Sequence, residues 1–242
     1  MQQSGMAVFV LVHSPSVGPA TWQPVARCLA EAGERVAVPS LLPVGDGPPP
    51  YWERVVAAVA GDLSGLDQAE PLVLVGHSNA GVFVPVLVSG LGRPVARCIF
   101  ADATVPALRG STAMAPADFL PFLRGLTGPD GRLPRWTDWW DEADTASMYP
   151  DADSRAAMTA QEPRLPLDYY LEQVPVPASW SDRRCGYLRF SAGYESEAEL
   201  ARQRGWPVRT VPGEHLHQLV DPMGVSQVIR ELAEDAGLAG SG

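Results

Sequence analysis

Lysine is absent from this chain. All 18 basic residues are Arg, against 28 acidic ones, for a formal net charge of −10. No basic block exists to meet a phosphate backbone or an anionic lipid surface, so nucleic acid and membrane are excluded as partners. The missing Lys, alongside abundant Ala, Arg, Gly and Pro, reads as a high-GC coding bias rather than a functional signal. Cysteine is scarce too. Cys28, Cys98 and Cys185 are odd in number and far apart, which fits neither a disulfide framework nor a metal site. They read as buried thiols in a reducing compartment. The longest N-terminal apolar run, residues 6–12, has no basic flank and is too short for a signal peptide or a membrane span. The expectation is a soluble, cytoplasmic protein. Metal-ligand clusters, phosphate-binding loops and dinucleotide fingerprints are also missing from the sequence, so no cofactor is expected.

What is present suits one α/β domain with an insertion. A chain of 242 residues that is 46% hydrophobic can bury a sizeable core. The stretch Pro71-Leu-Val-Leu-Val-Gly-His-Ser-Asn-Ala-Gly81 organises it. Residues 72–75 form a short apolar run, read as a buried strand, and residues 82–91 read as a buried helix. The turn between them carries one hydroxyl nucleophile, Ser78, among small residues. A serine on a sharp strand-to-helix turn is held in a strained backbone conformation with its Oγ presented over the sheet edge. The close approach of Gly76 and Ala80 accounts for the small neighbours. The usual G-x-S-x-G pattern is shifted here, with Ala80 in the last place and Gly81 following. A serine merely capping a helix is the simpler alternative; the strand-turn-helix context favours a nucleophile elbow.

Strands are expected at 6–12, 35–38, 72–75, 95–101, 186–191 and 207–211. Helices are expected at 22–32 (capped by Thr21), 51–63, 82–91, 195–204 and 222–236, with a disordered tail at 237–242. This alternation predicts an α/β fold: a mostly parallel six-stranded sheet with helices on both faces. Residues 1–106 and 181–242 form its core. The rhythm breaks across 107–180, where prolines abound, no strand is evident, and short helices fit 114–123, 151–160 and 167–174. That segment, rich in Trp and Tyr, is read as a helical cap insertion over the active site. Parallel sheets place their sites at the carboxyl ends of strands. His13, Ser78 and Asp102 each follow a predicted strand and so share one sheet edge.

Ser78 needs a base, and only His13, His77, His215 and His217 are available. His13 is expected to tie its loop to the elbow. His77 adjoins Ser78 in a tight turn from which neighbouring side chains diverge. His215 follows the last strand on a Gly-containing loop and is the expected base, with His217 as the alternative. The acid that orients the base is either Asp102, which is preferred, or Glu195, which fits equally as a helix first-turn charge. For the oxyanion, the Asn79 backbone N–H is one expected donor. Pro15 has no N–H, so the second must come from Ser14 or Ser16, as backbone or hydroxyl.

Taken together, these residues resemble the α/β-hydrolase superfamily, and within it the small esterase and hydroxynitrile-lyase branch with its bacterial relatives. The matching pieces are His13-Ser14 with Trp22 downstream, Gly76-His-Ser-Asn-Ala-Gly81, Asp102-Ala-Thr-Val-Pro106, and Gly213-Glu-His215 with Pro222 seven residues on. The resemblance implies a serine esterase or thioesterase acting on an apolar or aromatic small molecule through an acyl-enzyme. Lyases of this branch carry a Lys beside the catalytic His; Leu216 stands there in this chain, which disfavours cyanide chemistry. The Ser14-Pro15 departure keeps open a non-hydrolytic lyase, cyclase or isomerase reading, or a silent ligand-binding scaffold. The expected partner is a small-molecule substrate, with a homodimer as a further option.

Overall fold

The alternation of β-branched runs and amphipathic segments yields eight strands in the computed structural model, which describes residues 7–178, 180 and 182–235. They are β1 (Val8–Val12), β2 (Arg35–Ala37), β3 (Leu72–Ser78), β4 (Val95–Ala103), β5 (Gly110–Ala113), β6 (Gln173–Val176), β7 (Cys185–Arg189) and β8 (Val208–Thr210). Six form one sheet in the order β2-β1-β3-β4-β7-β8, and every pairing in it is parallel. The chain winds outward from β1 to β2, then returns to β3 on the other side. The crevice beyond β1 and β3 is therefore the switch point where such sheets bind ligands.

β1 shows why its sequence is apolar throughout. Val8, Val10 and Val12 face one layer, with the helix Tyr51–Asp62 and the helix Val84–Gly90. Phe9 and Leu11 face the other, with Trp22, Val25 and Leu29 around the helix Gln23–Glu31 and Val225, Ile229 and Leu232 of the helix Pro222–Glu234. A strand covered on both faces needs apolar residues at both parities.

Several local expectations shift. Thr21 does not cap the first helix; it sits in a short 3₁₀ turn, and its hydroxyl donates to the Gly18 carbonyl at 2.8 Å. β3 runs on through the turn residues to Ser78. The helix after it begins as a 3₁₀ segment, Asn79–Phe83. The expected tail at 237–242 lies outside the described residues. Cys98 and Cys185 are buried register partners on β4 and β7, and all three cysteines are free thiols. No helix among the described residues is long and apolar enough to cross a membrane.

The segment after β4 does contain strands, contrary to expectation. β5 and β6 pair antiparallel, Gly110 with Val176 through Ala113 with Gln173. Gly-Ser-Thr-Ala has no period-two apolar stripe, Gln-Val-Pro-Val has only two valines of one split by a proline, and the two runs are far apart in sequence, so local patterning could not reveal the pair. Between them lie short helices, Leu120–Leu126, Ala152–Gln161 and Leu167–Leu171. Asp151 caps the middle one by accepting from the Ser154 N–H at 2.6 Å.

The elbow is built on close backbone contacts. A Cβ added to Gly76 would stand 3.3 Å from the Ala80 carbonyl group, and one added to Gly81 would fall 2.2 Å from the Thr104 carbonyl oxygen. The glycine displaced by one position from the common pattern is thus the one that lets the turn pass the end of β4. Gly81→Ala is expected to cost about 1–3 kcal/mol through overpacking against backbone. Ala80→Gly should cost no more than about 1 kcal/mol. Urea unfolding of the two variants measures both; equal losses would refute this reading of the turn.

Candidate active site

Two residues at the sheet edge hold unusual backbone. Ser78 has φ +56° and Asp102 φ +43°, the only positive-φ residues other than glycine among those described. They sit on neighbouring strands where the pairing slips: His77 opposes Ala101, but Ser78 opposes Ala103. The bulge leaves Asp102 unpaired and turns its side chain away from the ladder. The Thr104 N–H closes the gap by donating to the Ser78 carbonyl at 3.2 Å.

Asp102 is fully buried, so its charge must be satisfied internally. Oδ1 accepts from the Phe190 and Ser191 backbone N–H groups at 2.9 and 3.1 Å. Oδ2 accepts from the Ser191 hydroxyl at 2.6 Å and from His215 Nδ1 at 2.9 Å. Burial alone would raise its pKa, but the bonds from His215, Ser191 and Phe190 outweigh it and hold the carboxyl below the usual carboxylate range. With Nδ1–H given to Asp102, His215 Nε2 is the accepting nitrogen, and it lies 2.9 Å from Ser78 Oγ. Ser78, His215 and Asp102 thus form one hydrogen-bonded chain, drawn from the ends of β3 and β4 and from the loop after β8.

The profile of the α/β hydrolase family matches residues 9–228. The chain belongs to that family. A carbendazim hydrolyzing esterase of Nocardioides sp. (strain SG-4G) is 32% identical over 114 residues, 46% of this chain and 47% of that one; the match spans about half the length of that curated relative. Among solved structures, an extracellular α/β-hydrolase from a Paenibacillus species is 17% identical with a TM-score of 0.75, covering 95% of this chain and 100% of that one. Polyneuridine aldehyde esterase is 16% identical with a TM-score of 0.70, covering 95% and 100%. A pyrethroid hydrolase is 18% identical with a TM-score of 0.70, covering 95% and 98%. At such identities the structural likeness speaks to the fold.

In this α/β hydrolase the remaining expected residues separate clearly. Glu195 does not join the chain of hydrogen bonds; it pairs with Arg189 at 2.6 Å and Arg202 at 3.0 Å and is half exposed. Sequence position alone made it a rival because it follows the next strand. His217 opens the short helix His217–Val220 and packs beside Phe190 and against Gly213. His13 ties its loop not to the elbow but to the stretch after β2: Nδ1 bonds the Ser14 carbonyl at 2.7 Å, and Nε2 accepts from the Leu41 N–H at 3.0 Å. Asn79 uses its side chain on the insertion, donating to the Met114 carbonyl at 2.8 Å and accepting from the Tyr169 hydroxyl at 2.6 Å. Its own N–H opens the 3₁₀ segment, where no helical carbonyl can accept it. Ser14 and Ser16 join hydroxyls at 2.9 Å. Of the two, Ser16 lines the large cavity, while both border a small void beside Ser78.

That large cavity, about 740 Å³, opens on Ser78 and His215 and is walled by Phe119, Trp136, Trp139, Trp140, Tyr170 and Tyr194. All but Tyr194 come from the 107–180 insertion. Among the described residues no group of His, Cys, Asp and Glu is arranged to hold a metal ion.

Three residues of the site were not anticipated. Ser191 supplies two of the four hydrogen bonds to Asp102; a serine just past a strand end is the only sequence trace. His77 diverges from Ser78, as adjacent residues in a tight turn should; what was not expected is that its Nε2 donates to the His215 carbonyl at 2.9 Å, anchoring the loop that carries His215. Tyr194 lies flat on the His215 ring, with centroids 4.9 Å apart and planes 2° from parallel.

His77 and His13 are buried and neutral. Burial, reinforced for His77 by the His215 charge, lowers their pKa values to about 3 and about 4 from 6.5. Each ring therefore binds a proton more readily in the unfolded chain, so stability is full above pH 6.5 and falls as pH drops through the window below it. Each contributes a slope of up to about 1.4 kcal/mol per pH unit near pH 5. Urea midpoints between pH 7 and 4.5 should fall accordingly, and His77→Gln should flatten that dependence while lowering stability at pH 7. A pH-independent midpoint over this range would contradict the assignment.

Proposed function

We propose that this α/β hydrolase is a serine esterase or thioesterase that cleaves apolar or aromatic small molecules through an acyl-enzyme. The observation that carries the reading is the continuous bond chain from Asp102 through His215 to Ser78, at the floor of an aromatic-walled cavity. Ser78 Oγ attacks the substrate carbonyl while its proton passes to His215 Nε2. Asp102 holds the ring in the tautomer that can accept this proton and stabilises the imidazolium that results. His215 then gives the proton to the leaving group, and water repeats the sequence to release the acid.

The Asn79 N–H serves as one oxyanion donor. Ser16, on the β1 side and facing the cavity, serves as the second, with Ser14 holding its hydroxyl; Pro15 between them has no N–H to offer. The 107–180 segment acts as the cap. Its aromatic walls suit a ring-bearing acyl or alcohol group, as do the names of the carbendazim and pyrethroid relatives. The protein is proposed to work without a cofactor and in the cytoplasm.

A fluorophosphonate probe should label the wild type at one site, and Ser78→Ala should abolish the labelling. Asp102→Asn should lower turnover of short-chain aryl esters by about 10⁴-fold, the scale seen when a triad carboxylate becomes an amide. Glu195→Gln should leave turnover near the wild-type value. Absence of labelling in the wild type would remove the enzymatic reading, and an Asp102→Asn variant with full activity would remove the assigned acid.

A further inference from the structure

Asn79 is held from two directions. The peptide unit that carries its N–H also carries the Ser78 carbonyl. That unit is planar and trans, so fixing one end aims the other. The carbonyl accepts from the Thr104 N–H, just past β4, at 3.2 Å. With the carbonyl turned toward β4, the Asn79 N–H points the opposite way, to the side of β3 where β1 and its loop lie.

The side chain supplies the second hold. Nδ2 donates to the Met114 carbonyl at 2.8 Å, and Oδ1 accepts from the Tyr169 hydroxyl at 2.6 Å. A carbonyl can only accept, which fixes the orientation of the amide. Both partners belong to the 107–180 segment. Met114 is tied in turn through its own N–H to the Glu172 carbonyl at 3.1 Å. Tyr169, on the helix Leu167–Leu171, is fully buried. Its ring meets those of Tyr51 and Tyr170 edge-on, with centroids 5.7 and 4.8 Å away. Burial, with Tyr170 and Glu172 adding to it, raises the phenol well above its ordinary range, so the hydroxyl stays a donor. Held at both amide atoms, the Asn79 side chain cannot swing, and the Cα from which it hangs is fixed with it.

We propose that Tyr169 is a positioning residue for the oxyanion hole: through Asn79 Oδ1 it steadies the backbone N–H that receives the negative charge of the substrate's carbonyl oxygen. The inference rests on the esterase reading above, with Asn79 as an oxyanion donor. Tyr169 touches no reacting atom. A donor already aimed at the developing charge needs no reorganisation at the moment of reaction. The same oxyanion forms when Ser78 attacks the ester and when water attacks the acyl-enzyme. In each step the new bond to carbon pushes the carbonyl electron pair onto oxygen. Its return expels the leaving oxygen, which takes the proton held on His215 Nε2. Both half-reactions therefore draw on the aim of this N–H.

An aryl ester and its thionoester, in which sulfur replaces the carbonyl oxygen, test this with the full chain. Sulfur is a weak hydrogen-bond acceptor and gains little from an aimed N–H. The wild type should therefore favour the ester in kcat/KM. Tyr169→Phe keeps the ring and removes the hydroxyl. Its kcat/KM and kcat for the ester should both fall about three- to thirtyfold, less than the loss of a whole donor. Its kcat/KM for the thionoester should fall less, so the oxygen-to-sulfur ratio narrows. Damage to the fold, to Ser78 or to His215 lowers both substrates alike and leaves that ratio unchanged. Asn79→Ala, which keeps the N–H but frees it from the insertion, should narrow the ratio as well. Adding Tyr169→Phe to Asn79→Ala should narrow it no further, because the two act as one unit.

A Tyr169→Phe enzyme with the wild-type ratio would overturn the proposal and leave the esterase reading standing. Further narrowing in the double variant would also overturn it, since Tyr169 would then act other than through Asn79. So would a wild type with no preference for the ester. If Tyr169→Phe does not fold, Asn79→Ala decides: a narrowed ratio supports the proposal and a wild-type ratio overturns it. A wild type that neither turns over the ester nor accepts a fluorophosphonate probe would defeat the esterase reading and this inference together.

Discussion

The slip in pairing between the ends of β3 and β4 is the constraint on which this site depends. It places two non-glycine residues side by side in left-handed backbone, Ser78 and Asp102. Each such conformation costs about 1–3 kcal/mol and persists only where surroundings over-determine it. Here they do. Gly81 lets the elbow press against the Thr104 carbonyl, Thr104 N–H bonds the Ser78 carbonyl, and Asp102 is clamped by four hydrogen bonds. The strain lifts Oγ off the sheet and sends the carboxylate toward the β7 loop, so that one imidazole can span both.

The same site shows how a buried charge is made tolerable and directional. Every lone-pair region of Asp102 has a donor, which keeps it ionised in a dry setting where an unsatisfied carboxylate would neutralise. His77, in contrast, is held neutral by burial, so it adds no charge beside His215 while its N–H secures the His215 loop. One histidine anchors the loop, and the other bridges Asp102 and Ser78.

The 107–180 segment is hydrogen-bonded to this site and to the core. Tyr169 and the Met114 carbonyl both bond the side chain of Asn79, the residue after Ser78. Glu172 accepts from the N–H groups of Tyr51 and Trp52 at the start of a core helix. The aromatic wall of the cavity and the elbow turn are thus mechanically coupled, and a shift in one is felt in the other because packed interiors deform little.

The succession of sheet strands and helices along the chain, the two-faced core and the place of Ser78 were legible because they rest on local signals: apolar runs, small turn residues, and the residue that follows each strand. That His215 should meet Ser78 followed from the short list of four histidines and from its place on the Gly-containing loop after the last strand. The carboxylate that meets His215 was only half legible: Asp102 was preferred, with Glu195 left as a rival. Asp102 and Glu195 both follow strands, and only the assembled sheet shows one clamped under the imidazole and the other paired with arginines. The β5–β6 pair, the clamp from Ser191, the anchor from His77 and the stacked ring of Tyr194 likewise carry no local mark. Residue type and spacing by themselves determined which strands and helices build the main sheet and which of its edges bears Ser78, Asp102 and His215, because those follow from periodicity and turn chemistry. Tertiary structure alone decided which of those groups touch, because contacts between segments a hundred residues apart are settled by packing and by the demand that buried polar atoms find partners.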